Sequence, residues 1–484
     1  MKTAQEYKES LKKMRPNIYK FGKLIEDVTT DPATKRTVES HSRCFAAAYE
    51  PEYEEIFTTI SNFTGEKIFR FNSLMMSEAD VIGNSKLKRA CYRLTGTCTG
   101  AVCVGWNCQN TLYAVTYDMD KEYNTNYHQR LESWIKYAQE NSLAVAGALT
   151  DPKGDRSKKP SQQADLDSNL RIVEVKKDGI VIRGAKVMIC GVAASNEIFL
   201  LPGGVYGESD KDFAVACVVP RDIDGLTIVE TTRPSDLREL EDNFDMPQTG
   251  ITQAYLMFDN VFVPNERVFM CGEYKYTRDV INYFTSTYRA CIGACVAGQG
   301  DVMIGAAVLM ARANGLSSRV FFDKLINMSI NNEVTYGLGI GAIALGKKHP
   351  SGVYFPDQLL ANVNKVQVAT LPYETKRLTQ DIAGGIGETG CLPSCQDIEN
   401  PQYGQLIEKY LKAGEGSGKT RAKIARLIEW LTLGAGVPGT MHGGGSPDGA
   451  RLFIRALTPF DKYVDYAKKI MNIEEDVKEP EKAK

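Results

Sequence analysis

Cysteines supply most of the chemistry this chain offers. The stretch TSTYRACIGACVAGQGDV places Cys291 and Cys295 four residues apart, one turn apart on a single helical face. CYRLTGTCTGAVCVGWNC adds Cys91, Cys98, Cys103 and Cys108, and CLPSC adds Cys391 and Cys395 in a proline-containing loop. Metal ligation and close apolar packing both suit such residues. No C-x₂-C pair or zinc-ribbon spacing is present, so zinc is not expected. Iron–sulfur ligation would need Cys98 and Cys103 to converge with the distant Cys291 and Cys295. Spacing alone favours buried structural thiols. Only four histidines, His41, His128, His349 and His442, limit any imidazole-rich site.

Three loops could meet a ligand. GALTDPKGDR (Gly147 to Arg156) lies where helical pattern gives way to strand, and its backbone amides and Arg156 suit an anion. QDIAGGIGETG (Gln380 to Gly390) and MHGGGSP (Met441 to Pro447) end helices in glycines. Those glycines are either C-caps or places where backbone approaches a cofactor. AGEGSGKT (Ala413 to Thr420) imitates a phosphate loop, but the helical pattern of YGQLIEKYLK precedes it where a strand is required.

The elements that must position these residues follow from periodicity. Residues 1–144 read as a mainly helical domain, with TAQEYKESLKKM and YHQRLESWIKYAQEN at helical spacing. Residues 145–272 alternate apolar and polar, with a Lys-Asp-Gly turn inside LRIVEVKKDGIVIRGAKVMICG that predicts a hairpin. Residues 273–470 return to long helical patterns, and 471–484 form a charged tail. The order helices, strands, helices predicts an α+β chain with segregated layers. Charge is balanced, 58 Lys+Arg against 60 Asp+Glu, which argues for a small-molecule partner and against nucleic acid. The apolar run Cys291 to Met310 carries Gln299 and Asp301 and is expected to be a buried core helix, with no membrane partner. Twelve cysteines and a charged N-terminus without an apolar export segment lead us to expect reduced thiols and a cytoplasmic location.

NTNYH, TDPKGDR, FDNVFVPNERVF, GDVMIGAA, LLANVNK, LPYE, DIAGG and MHGGGSP run in that order along nearly the whole chain. Together they resemble 4-hydroxybutyryl-CoA dehydratase/vinylacetyl-CoA Δ-isomerase and, more distantly, the flavin-dependent 4-hydroxyphenylacetate 3-hydroxylases and the acyl-CoA dehydrogenase fold. The resemblance implies an N-terminal helical domain, a central β-barrel, a C-terminal helical bundle and a homotetramer. It implies FAD between barrel and bundle. Gly147, Leu149, Thr150, Lys153, Asp155 and Arg156 would contact the cofactor, with Cys190 near its ring; Asp381, Gly384, Gly385 and Gly436 would hold the remainder.

The dehydratases also carry a 4Fe–4S cluster on three cysteines and one histidine. Here Cys103 and Cys295 match two of those positions, Tyr288 stands at the histidine, and Thr99, beside Cys98, stands at the third cysteine. A rearranged set of Cys98, Cys103, Cys291 and Cys295 is the alternative way to hold a cluster. Two glutamates of the dehydratases fall on Gln253 and Gly439, and a lysine falls on Val296. The expected activity is thus FAD-dependent dehydration, isomerisation or desaturation of a small acyl-CoA, with altered acid/base groups. Tyr288 and Cys190 are the candidates for proton transfer or substrate contact. The alternative is a two-component flavin monooxygenase served by a flavin reductase, although the family's phenol-binding positions fall here near Thr97, Ala101 and Gly147.

Overall fold

A computed structural model describes residues 1–152, 154–232, 247–388, 392–433 and 443–475. A capping box between Thr3 and Glu6 opens α1 (Ala4–Lys12). The chain then becomes extended. β1 (Ile18–Lys20) and β2 (Lys23–Ile25) join through Phe21 and Gly22, at φ of 50° and 73°, the two positive values a two-residue hairpin turn needs. This departs from the helical N-terminal third expected from sequence, because three-residue strands are too short for a period of two to register. Helices fill most of the rest: α2 (Lys35–Ala47), α3 (Glu78–Thr95), α4 (Gly100–Tyr123) and α5 (Tyr127–Glu140).

The strand-rich middle comprises β3 (Val145–Ala148), β4 (Arg171–Val175), β5 (Gly179–Cys190), β6 (Glu197–Leu200), β7 (Val215–Pro220), β8 (Leu226–Glu230), β9 (Gln253–Pro264) and β10 (Val268–Cys271). The expected hairpin forms, with β4 antiparallel to β5 and Lys176 N–H donating to Gly179 O at 2.8 Å across the turn. The expected barrel does not. The strands make two open sheets, β2-β1-β8-β9-β5-β4 and β10-β7-β6-β3, with no closed barrel among the described residues. Alternation reveals that a strand has one buried face; it does not say whether the outer strands bond to one another. β1 lies parallel to β8 with Ile18 opposite Ile228, so the N-terminal segment becomes part of the larger sheet. β3 is buried at all four residues because α4 packs across it.

Helices resume with α6 (Thr277–Ala313) and α7 (Arg319–Ala344), followed by α8 (Gln358–Val368), α9 (Leu371–Ala383), α10 (Gly418–Thr432), α11 (Pro447–Leu457) and α12 (Phe460–Met471). The stretch around α6 is long and apolar enough to cross a membrane, yet 61% of its apolar window is buried. Helices α3, α7 and α8 cover it, which makes it the core helix expected from sequence. AGEGSGKT joins helix Gly404–Leu411 to α10, and Ser417 caps α10 by accepting from Thr420 N–H at 3.1 Å. It is a helix–helix connection. The last part of the charged tail lies outside the described residues.

Candidate functional site

Three segments bring the cysteines together. α3 ends at Gly96, whose φ of 68° gives the left-handed cap. Cys98 lies in the short connection that follows, and Cys103 sits one turn into α4. α6 packs along α3 and carries Tyr288, Cys291 and Cys295 on the facing side. From the sheet, Cys190 ends β5 opposite Gln253 of β9, whose Nε2 donates to the Cys190 sulfur at 3.2 Å. Gly100 allows the approach of α4: a Cβ there would lie 2.5 Å from the Cys190 Cβ. Cys98, Cys190, Tyr288 and Cys295 are partly exposed, forming a rim around the buried Cys103 and Cys291.

At the centre stands Lys88 of α3, 2% exposed. Burial pulls its pKa down, but the thiols of Cys103, Cys291 and Cys295 outweigh that and raise it. Cys103 moves the opposite way, to about 6, through a hydrogen bond from Cys295 and the charge and hydrogen bond of Lys88. The same contact holds the proton on Cys295, whose pKa rises. These opposite shifts favour an ammonium on Lys88 and a thiolate on Cys103. Burial and then Cys103 push the Tyr288 phenol well above 10, so it keeps its proton, and its ring faces Lys88 at 5.3 Å. Cys98 and Cys291 are raised mainly by burial, and Cys291 also bonds Ser85. His41 is neutral: burial lowers it to about 4, and its Nε2 accepts the Ala101 N–H at 3.1 Å.

The four cysteines thus meet, but not as a cubane cage. The Lys88 ammonium stands among these sulfurs, a cation where a cluster would need anionic thiolate donors. No group of three or more His, Cys, Asp or Glu side chains converges as a metal site among the described residues. Tyr288 adds a protonated phenol where imidazole would be required. The donor set does not fit a 4Fe–4S cluster. A polar organic ligand fits better: Asn107 Oδ1, Thr287 Oγ1 and both amide atoms of Gln299 are buried without a partner. Each lies one turn from Cys103, Cys291 or Cys295, and buried orphans of this kind mark places completed by a bound molecule or water.

The residues expected to hold FAD fall in two groups. Gly147 is buried in β3, where a Cβ would meet Val104 and Cys108 at 2.6 and 2.7 Å, so it serves helix–sheet packing. Leu149 and Thr150 are half-buried, and the loop is anchored by Lys186, whose Nζ bonds Leu149 O at 2.9 Å and Asp151 at 2.6 Å. Asp155 and Arg156 are exposed, with Asp155 accepting from Ser157. In the bundle, Asp381 pairs with Lys324 at 2.7 Å. Gly384 caps α9 at φ 68° with nothing near its Cβ position, and Gly385 is exposed beside it. Lys153 and Gly436 lie outside the described residues. An open depression of about 610 Å³ lies elsewhere, lined by Asp118, Glu122, Lys275 and Asp279 among others. That is about 22 Å along α4 from Cys103.

A family model described as 4-hydroxyphenylacetate 3-hydroxylase N terminal matches residues 3–270, and its C-terminal counterpart matches 277–472. The chain belongs to the 4-hydroxyphenylacetate 3-hydroxylase family. Within it, the 4-hydroxybutyryl-CoA dehydratase/vinylacetyl-CoA-Δ-isomerase of Clostridium aminobutyricum is 38% identical, over 97% of this chain and 99% of that one. The oxygen-tolerant archaeal 4-hydroxybutyryl-CoA dehydratase from N. maritimus superposes with a TM-score of 0.95 at 36% identity, covering 100% and 97%. The 4-hydroxyphenylacetate 3-monooxygenase oxygenase component of Thermus thermophilus is 24% identical over 89% and 88%. An oxygenase component complexed with FAD shares the fold at TM-score 0.81 and 21% identity, covering 97% and 98%. Family membership does not reveal Lys88, which the motifs also left unmarked. Its one signal is spacing: Ser85, Lys88 and Tyr92 recur on the face that α3 turns toward α6.

Proposed function

We propose that this member of the family is an FAD-dependent enzyme of lyase/isomerase type acting on a small acyl-CoA by dehydration, isomerisation or desaturation. The observation that carries this is the full-length similarity to a 4-hydroxybutyryl-CoA dehydratase, at 38% identity. The exposed amides and Arg156 of the loop after β3, with Gly384 and Gly385 at the end of α9, would hold FAD. When bound, FAD supplies an acceptor for one electron or a hydride. A 4Fe–4S cluster has no part in this proposal.

The chain's own groups divide the acid/base work. Cys103, kept as a thiolate by Lys88, is the base, with its pKa near 6 suited to accepting a proton at neutral pH. Tyr288 keeps its proton and donates a hydrogen bond or the proton itself to the substrate. Cys190, fixed by Gln253, contacts substrate at the rim. Exposed apolar residues on α11 and α12, including Leu452, Phe460 and Ile470, support subunit contact in a homotetramer.

The test is anaerobic reconstitution with FAD, followed by absorbance during titration with small acyl-CoA thioesters, 4-hydroxybutyryl-CoA among them. Retained flavin that bleaches or shifts with at least one thioester is expected. A protein that stays colourless, or a flavin indifferent to the whole panel, overturns the proposal. Oxygen uptake with supplied reduced FAD and a phenol would instead establish the monooxygenase alternative.

A further inference from the structure

One side of α7 rests on α3, α6, α8 and α9, and the buried residues of the helix, Met328, Asn332, Thr335, Gly339, Ala342 and Ile343, lie on it. The other side faces water. Phe322, Ile326, Ile330 and Val334 follow one another there at four-residue spacing, 42 to 58% exposed. Gly337, Gly341 and Ala344 continue the same face, and exposed Leu345 ends it. Soluble chains seldom leave so long an apolar seam uncovered.

The glycines point outward for their reason. A Cβ at Gly337 would have nothing within 4 Å, and one at Gly341 would meet only the Leu360 side chain. Neither residue has a positive φ. Glycine inside a helix costs about 1 kcal/mol against alanine, and at Gly337 nothing within the chain requires it. A second helix backbone approaching from outside would.

The seam is bulky at one end and small at the other, so turned end for end it complements itself. Ile330 then lies opposite Gly337, Ile326 opposite Gly341, and Phe322 opposite Ala344 and Leu345, with the two-fold axis beside Val334. A parallel pairing would instead set Phe322 on Phe322 and glycine on glycine. Charge agrees with the antiparallel order. Exposed Asp323 at the bulky end comes within a turn of Lys347 and Lys348, both exposed just past the small end. The five large apolar side chains offer on the order of 500 Å² per copy, so a pair removes about 1,000 Å² from water, enough for a specific interface.

We propose that this face of α7 binds the same face of a second copy of the chain, the two helices antiparallel about an axis at Val334. It is distinct from the α11 and α12 surface, and a closed tetramer needs two such self-complementary faces. The pairing stands on the shape of α7 and does not depend on the flavin or acyl-CoA reading.

The experiment uses the full chain and reads its mass by sedimentation velocity. Gly337→Leu fills only the place the partner's side chain would take, because its own chain leaves that space open. Ile330→Asp and Gly337→Leu are each expected to halve the particle mass while keeping the wild-type circular dichroism. Under mild oxidation Val334→Cys is expected to crosslink to its twin, read on a non-reducing gel against wild type. Phe322→Cys should not, since its twin lies about 35 Å away along the helix pair. A monomeric wild type overturns the proposal, and its sedimentation with phosphatidylcholine vesicles would assign the seam to a lipid surface. Wild-type mass in both Ile330→Asp and Gly337→Leu overturns it, as does a crosslink through Phe322→Cys or none through Val334→Cys. Should Ile330→Asp not fold, Gly337→Leu takes its test, and if neither folds the two cysteine variants decide.

Discussion

Lys88 and Lys365 are both buried lysines packed against α6, yet their ammonium groups respond in opposite directions. Lys88 is raised because three thiols face it; Lys365 is lowered because what faces it is Arg289. Burial is the largest contribution in both cases and lowers both. The neighbours decide the sign. One place carries its counter-charge within the chain, as the Cys103 thiolate, and is self-sufficient. The other sets like charges side by side, the Lys365 ammonium beside the Arg289 guanidinium.

Breaking the first pair should give the largest effect. Lys88→Met leaves the Cys103 thiolate without its cation, and stability should fall by about 3 kcal/mol in chemical denaturation. The pH midpoint of Cys103 alkylation, followed by mass spectrometry, should also rise from about 6 beyond neutrality. A midpoint that does not move would dissolve the ammonium–thiolate pair.

Tyr288→Phe tests what the pair serves. It should lower turnover of a responsive thioester about 100-fold, with the unfolding midpoint nearly unchanged. A large loss of stability with little loss of rate would make Tyr288 a packing residue.

The second place is sharpened by pH. Lys365 has a folded pKa of about 7 against an ordinary 10.5, so the unfolded chain binds more protons between those values. Stability should therefore rise with pH across that window, by up to about 1.4 kcal/mol per unit, and Lys365→Met should flatten the rise above pH 9. Cys103 contributes its own rise lower down, between about 6 and its ordinary value of 9, which Cys103→Ser should remove. Denaturation midpoints across pH 6–10.5 for the three proteins separate the two.

The smallest effect concerns Lys365 near neutral pH. With its pKa near 7 this lysine carries only part of a charge there, so replacing it with Met should shift stability by no more than about 1 kcal/mol, read as the thermal midpoint. Lys88→Met costs more, and the contrast in size is the point of the comparison.

Local physics made much of this legible in the residues themselves. Alternation around Lys-Asp-Gly fixed the β4–β5 hairpin. Four-residue spacing put Cys291 and Cys295 on one face, and a run of small and apolar residues marked the core helix between them and Met310. Each of these depends on neighbours a few positions away, which periodicity records. Family resemblance carried the overall fold, the order of the motifs and the expected cofactor. Tertiary structure decided what depends on distant contacts. It opened the expected barrel into two sheets, because closure depends on which edges meet. It placed Lys88 among thiols from two other helices and Lys365 against Arg289, 76 positions earlier in the chain. A charge inside a protein is governed by what stands a few ångströms away in space, and sequence order does not encode that distance.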